Sequence, residues 1–169
     1  MSEPTTQRDL LYSDVEDDLR SSVRKLLTVR SRPAAVLARC EAAEPYDLKL
    51  WQTMTVELGL AGLLVPEEYG GAGAGTREVA VVAEELGRSV APVPFLGSAV
   101  LATATALACP EPDALLTQLA VGERTATLAV PLSTAPDATF PEAVRAQAGA
   151  LHGRVSSVVD LDVADAVLV

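Results

Sequence analysis

Aromatic residues are scarce in this chain: one tryptophan, three tyrosines and two phenylalanines make up 4% of 169 residues. Yet 49% of the residues are apolar, mostly alanine, leucine and valine, a composition that suits closely packed helices. Basic residues are short as well, with 13 Lys and Arg against 23 Asp and Glu and a net charge of −10. No basic patch is visible, which argues against nucleic-acid binding and against an anionic membrane surface. His152 is the only histidine, with no second histidine or cysteine beside it to make a metal site, and no serine and aspartate pattern in the sequence brings a Ser-His-Asp set around it, so a surface strand position is expected. Cys40 and Cys109 lack metal-ligand spacing and read as two reduced core thiols, in keeping with a cytoplasmic location. The start, Met1-Ser2-Glu3-Pro4, has no basic segment leading into an apolar run, so no signal peptide is expected. The long uncharged stretch from Ser89 to Pro110 is interrupted by Pro92 and Pro94. What remains, Phe95 to Cys109, is too short to span a bilayer and reads as a buried core helix with no membrane insertion.

The length fits one domain or one and a part. After about ten mobile residues, Ser13 and Glu16 have the spacing of a capping box, with acids in the first turn and bases toward the end of the helix. Val15, Leu19, Val23, Leu26 and Leu27 form its expected buried stripe. Pro33 suits the first turn of a second helix through Ala42, which Pro45 closes. Asp47 caps a third, carrying Leu50, Trp51, Met54 and Leu58 on one face. That helix ends near Gly59, an apolar segment runs from Leu60 to Val65, and Pro66 with Gly70, Gly71, Gly73 and Gly75 rules out helix until Thr76. Thr76 caps a fourth helix, with Val79, Val82, Ala83, Leu86 and Val90 inward and Glu78, Glu84, Glu85 and Arg88 outward. Beyond Phe95 to Cys109, Pro110 and Pro112 flank a turn, and a short helix from Ala114 to Ala120 stops at Gly122.

There the composition changes. Thr125 to Val130 alternates and is β-prone, Ala143 to Ala148 reads as a strand, and Leu151 to Leu161 with Ala166 to Val169 supplies two more. Gly149-Ala150 is the expected hairpin turn. The fold class is therefore α+β: a helical bundle of about six helices over residues 1–122, then the beginning of an antiparallel β-domain over 123–169, incomplete at Val169.

The order of parts resembles the N-terminal half of the acyl-CoA dehydrogenase family. The residues that carry the resemblance are Leu50-Trp51, Glu57-Leu58-Gly59-Leu60, Val65-Pro66-Glu67-Glu68-Tyr69-Gly70-Gly71, Glu84-Glu85-Leu86-Gly87-Arg88 and the small-residue helix after them. Leu151-His152-Gly153-Arg154 and Ala164-Asp165-Ala166-Val167-Leu168-Val169 look like a hairpin of the family's β-domain. The resemblance implies FAD as cofactor, an acyl-CoA as substrate and α,β-dehydrogenation as the reaction, in lipid or related acyl-chain catabolism. It also implies an electron-transfer flavoprotein as acceptor and a homo- or hetero-oligomer. The family's C-terminal helical bundle, with the catalytic base, is not among these residues, so no catalytic residue is expected before Val169. A structural subunit completing a catalytic partner, and a flavin monooxygenase or acyl-CoA oxidase on the same fold, are the alternatives.

The flavin loop of the family matches Leu128 to Asp137, which places the cofactor contacts at Val130, Pro131, Leu132 and Thr134. Pro131 supplies neither hydroxyl nor N–H, so the contacts expected there are backbone groups at Val130 and Leu132. The acyl tail is expected to border Pro94, Phe95 and Ser98. Other motifs carry no chemistry. Gly70 to Gly75 has no G-x-G-x-x-G register and no βαβ unit, and the neighbours Glu84 and Glu85 cannot converge as an acid–base pair, so a solvated face or interface contact is expected of them.

Overall fold

The structure is a computed structural model that describes residues 11–109, 114–135, 137–140 and 143–169. The expected mobile N-terminal residues and the turn between Pro110 and Pro112 lie outside that set. Among the described residues six α-helices form: α1 (Asp14–Arg30), α2 (Pro33–Cys40), α3 (Leu48–Leu58), α4 (Thr76–Ser89), α5 (Thr103–Ala108) and α6 (Ala114–Ala120). A π-helical segment, Phe95–Ala102, runs directly into α5. The strands β1 (Ala126–Leu128), β2 (Val144–Gln147), β3 (Ala150–Gly153) and β4 (Ala166–Leu168) are short.

The helix starts follow the sequence signals. Ser13 Oγ accepts from Glu16 N–H while Glu16 Oε2 accepts from Ser13 N–H at 2.6 Å, and Asp47 Oδ1 accepts from Leu50 N–H. On α4 the cap is Gly75, one residue before the expected Thr76, and Glu78 reaches back to its N–H at 2.9 Å. Between α3 and α4 the chain makes single 3₁₀ turns at Leu60–Gly62 and Glu67–Tyr69, so the Pro-Gly stretch contains one tight turn where none was expected. The N–H groups of Ala72, Gly73 and Ala74 then donate to the carbonyls of Gly62, Val65 and Leu63, which spends the loop's donors internally. Gly71 lies so close to Val65 that a Cβ there would overlap the Val65 carbonyl.

One core joins Val23 and Leu27 of α1, Leu50, Trp51 and Met54 of α3, Leu60 of the 3₁₀ turn after it, Val82 and Leu86 of α4, and Phe95 and Ala99 of the π-helical segment. Two smaller clusters continue it, Val65–Ala106–Leu116–Ala120 and Ala102–Leu119–Ala126. The helix beginning at Phe95 is thus buried along one side by both α6 and β1, although Leu96 on its other side is 44% exposed.

Several expected positions are corrected by long-range pairing. Val15 is exposed, and Glu16 takes its place inside α1 because Arg77 pairs with its carboxylate. Glu85, expected on a solvated face, is 1% exposed and accepts from Arg24 Nη2 at 2.5 Å, Arg24 Nε at 2.9 Å and Arg20 Nη1 at 3.1 Å. Charge-assisted bonds from two guanidinium groups make that burial tolerable. Both cysteines are exposed rather than in the core. His152 is exposed on β3, as expected.

The β2–β3 hairpin is antiparallel with Gln147 opposite Ala150, so its turn is Ala148-Gly149, one residue earlier than expected, with φ of 50° and 77°. β4 pairs in parallel with β1, Thr127 opposite Val167, rather than forming a hairpin with β3. β3 ends at Gly153, well short of the expected Leu161, and a 3₁₀ turn follows over residues 161–163. Thr125 accounts for this: its N–H and hydroxyl bond the Asp165 carboxylate, and the hydroxyl donates to the Val163 carbonyl. The 163–165 segment is thereby drawn onto β1.

Candidate functional site

The chain turns sharply at Val90 to Pro94, and Phe95 N–H donates to the Val93 carbonyl at 2.8 Å as the π-helical segment begins. Wide helical turns of this kind recur at functional sites. Thr103 sustains this one: its hydroxyl donates to the Ser98 carbonyl, five residues back, at 2.9 Å. Beside the segment lies an open apolar cleft of about 530 Å³, walled by Val79 and Ala83 from α4, Val90 just after its end, Val36 from α2, and Phe95 and Leu96. A second groove shares Val36, Cys40 and Val90 and extends the trough past Leu37. The apolar stripe expected on α4 therefore splits, with Val82 in the core while exposed Ala83 and Val90 face this trough.

The three expected acyl-wall residues are all buried but point to different neighbours. Phe95 alone lines the cleft. Ser98 is 2% exposed, and its Oγ accepts from Ala126 N–H at 3.3 Å, which ties the segment to β1. Two residues after Ala126 the chain enters the expected flavin loop, and Val130, its first expected contact, follows two residues later, so β1 links the two regions although the cleft is lined by none of Val130, Pro131, Leu132 or Thr134.

The donors of that loop are committed within the chain. Val130 N–H donates to the Leu128 carbonyl at 2.8 Å, Leu132 N–H to the Ser157 carbonyl at 3.0 Å, and Thr134 N–H to the Pro131 carbonyl at 2.9 Å. Pro131 has none to give. A flavin ring needs N–H and O–H groups aimed at its ring atoms, and of the four residues expected to contact it only Thr134 keeps an uncommitted donor, its hydroxyl, while the neighbouring Ser133 hydroxyl and the Ser133 and Ala135 N–H groups also have no partner among the described residues. Val130, Pro131, Leu132 and Thr134 by themselves do not supply the donors of a flavin cradle.

A polar node missed by sequence reasoning adjoins the Phe95 end. Asp160, 9% exposed, accepts from Gly97 N–H at 2.8 Å and from Tyr46 OH at 2.9 Å. Burial pushes its pKa up, against the opposing pull of the Gly97 N–H and the Tyr46 hydroxyl. Tyr46 is pushed up to about 12, first by desolvation and then by its bond to Asp160. No local motif could have joined residues 46, 97 and 160. The other buried carboxylates among the described residues, Glu16 and Glu85, are held by arginines and face away from any proton-transfer task. No group of His, Cys, Asp and Glu side chains among the described residues has the arrangement of a metal site, and no helix there is long and apolar enough to cross a membrane.

With this geometry in view, comparisons with known proteins agree. The family model for the acyl-CoA dehydrogenase N-terminal domain matches residues 13–111, more than half of the chain. Acyl-CoA dehydrogenase IpdE2 of Mycobacterium tuberculosis is 43% identical over 105 residues, which cover 62% of this chain and 33% of that protein. The mitochondrial isovaleryl-CoA dehydrogenase of Oryza sativa subsp. japonica is 34% identical over 80 residues, 47% of this chain and 19% of that one. Among solved structures, the ChsE4–ChsE5 complex of Mycobacterium tuberculosis superposes with a TM-score of 0.79 at 26% identity, covering 95% of this chain and 44% of that chain. A steroid ACAD, Tcur3481–Tcur3483, superposes with a TM-score of 0.60 at 30% identity, covering 71% and 33%. The chain spans a third or less of the length of these curated relatives. With its helical bundle, its Phe95 turn and its first strands in the matching order, the chain belongs to the acyl-CoA dehydrogenase family, of which it carries the N-terminal region.

Proposed function

We propose that the chain works as the helical-domain part of an FAD-dependent acyl-CoA dehydrogenase, within an oligomer, and that its Phe95 face walls the acyl tail. The observation that carries this reading is the family match over residues 13–111, which spans every residue lining the apolar cleft. The reaction of such an enzyme would remove the α-proton and β-hydrogen of an acyl-CoA thioester; FAD, held with other segments of the assembly, would supply the redox chemistry, with an electron-transfer flavoprotein as acceptor. This chain's own contribution is binding and water exclusion: Phe95, Leu96 and Val90 give an acyl chain an apolar surface to leave water for. The size of the cleft suits a bulky acyl group, and one structural relative is described as a steroid ACAD. The cytoplasm is the proposed location.

A second reading is favoured by the flavin loop. Its committed N–H groups suit a subunit that leaves the cofactor to another chain or segment and pairs with a catalytically complete acyl-CoA dehydrogenase. The neighbour at TM-score 0.79 is itself a complex of two differently named chains. In this reading Val130, Pro131, Leu132 and Thr134 border the flavin site, with Thr134 Oγ the remaining donor.

Expression of these 169 residues alone and together with a full-length acyl-CoA dehydrogenase chain tests both readings. Apart, the chain is expected to self-associate, because Leu37, Val90 and Leu96 expose an apolar surface of the kind obligate interfaces cover. Together, a soluble complex that retains FAD is expected. A monodisperse, flavin-free monomer that oxidises acyl-CoA on its own contradicts the proposal.

A further inference from the structure

Asp160 plays no part in the reading just given, yet its surroundings are unusually constrained. Its backbone adopts φ 55°, which aspartate tolerates better than most residues. Each carboxylate oxygen crosses a long sequence distance, Oδ2 to Gly97 N–H over 63 residues and Oδ1 to Tyr46 OH over 114. Gly97 sits in the first turn of the π-helical segment, where N–H groups lack a partner from the helix itself and a negative charge is favoured. The fit also requires glycine: a Cβ at position 97 would lie 2.8 Å from Asp160 Oδ2 and 2.9 Å from its Cβ. Asp160 is held in turn from behind. Thr127 Oγ1 donates to the Val159 carbonyl at 2.7 Å, and the Thr125 hydroxyl donates to the Val163 carbonyl.

We infer that Asp160 is a positioning residue for the acyl wall. It clamps the start of the π-helical segment to β1 and to Tyr46, and so sets how far Phe95 and Leu96 stand into the cleft. The inference rests on the reading that this face receives an acyl tail. Phe95 and Leu96 directly precede the clamped Gly97, and the 90–95 turn is tied to the same neighbourhood because Asp47 N–H, next to Tyr46, donates to the Pro92 carbonyl at 2.7 Å. Release of the clamp therefore lets Phe95 and Leu96 shift relative to α4 while Val23, Leu27, Met54 and Val82 stay packed in the rest of the core.

The test uses the assembled, flavin-loaded oligomer containing the full chain, as parent, Asp160→Ala and Asp160→Asn. Amide hydrogen exchange at Gly97 is expected to rise about tenfold or more in Asp160→Ala, while Val23 and Val82 in the main core keep parental rates. In Asp160→Asn the side-chain carbonyl still accepts from Gly97 and the amide donates to the Tyr46 oxygen, so exchange returns close to the parent. The ratio of kcat/KM for lithocholyl-CoA to that for isovaleryl-CoA is expected to shift by about tenfold in Asp160→Ala and to be restored in Asp160→Asn. Tyr46→Phe removes one of the two bonds and gives smaller changes in the same direction, which keeps the test available if Asp160→Ala does not fold. Unchanged Gly97 exchange, or an equal loss for both thioesters, overturns the inference, since a purely structural role lowers both alike. If the parent oligomer turns over neither thioester, the dehydrogenase reading fails, and the exchange at Gly97 alone decides whether the clamp exists.

Discussion

Glu16 shows how one side chain can serve two scales of structure. Its capping role was legible from Ser13 three residues away, whereas its burial was not, because the partner that permits it, Arg77, is 61 residues distant. The same holds for Glu85, whose arginines sit on another helix. A helical pattern records which positions are apolar; it does not record which charges will find a partner. The arginine bond, followed by the Ser13 N–H, lowers the Glu16 pKa from 4.5 to about 2. A folded value below the unfolded one gives stability that is fully present above pH 4.5 and is lost as pH falls toward about 2. Glu16→Gln is therefore expected to flatten the fall in urea midpoint across that window. An unchanged acid slope would show that Glu16 is not coupled to folding. Asp160 acts with the opposite sign, since its pKa is raised and its contribution declines as pH rises through the window above 3.8.

Among the elements, the helices were legible almost to their ends, because caps, prolines and three-and-four spacing are local signals. The π-helical turns were not, since they depend on Thr103 bonding back to Ser98 and on Asp160 approaching Gly97. The β2–β3 hairpin could be read from its Gly-Ala turn, shifted by one residue. The parallel β1–β4 pair could not, because its strands lie about forty residues apart and parallel pairing leaves no turn signature. The burial of the Phe95 to Ala108 helix follows from its lack of a polar face, and Ala102, fully buried between Leu119 and Ala126, tests it. Ala102→Asp buries an unpaired carboxylate and is expected to cost about 3 kcal/mol or more. A denaturant midpoint equal to the parent's would contradict the arrangement of α6 and β1 around this helix.

At the scale of the whole molecule, the candidate site was half legible. The sequence pointed to Phe95, which does line the cleft, but also to Ser98, which faces β1, and it could not show that Val130, Leu132 and Thr134 spend their N–H groups internally. What the fold assembles is an apolar trough on one side and a bonded β-segment on the other, joined through Ser98 and Asp160. Neither carries a free base or a flavin cradle among the described residues. On the proposed function, this chain supplies walls of a site, and other residues of an acyl-CoA dehydrogenase assembly complete its redox chemistry. Anaerobic addition of acyl-CoA thioesters to the purified flavin-loaded assembly, followed by its visible absorption, tests that claim most directly. The account predicts that the flavin band bleaches when a thioester is added to the assembly, and that the chain by itself gives no such change. A flavin that stays oxidised with every thioester from isovaleryl-CoA to lithocholyl-CoA would contradict it.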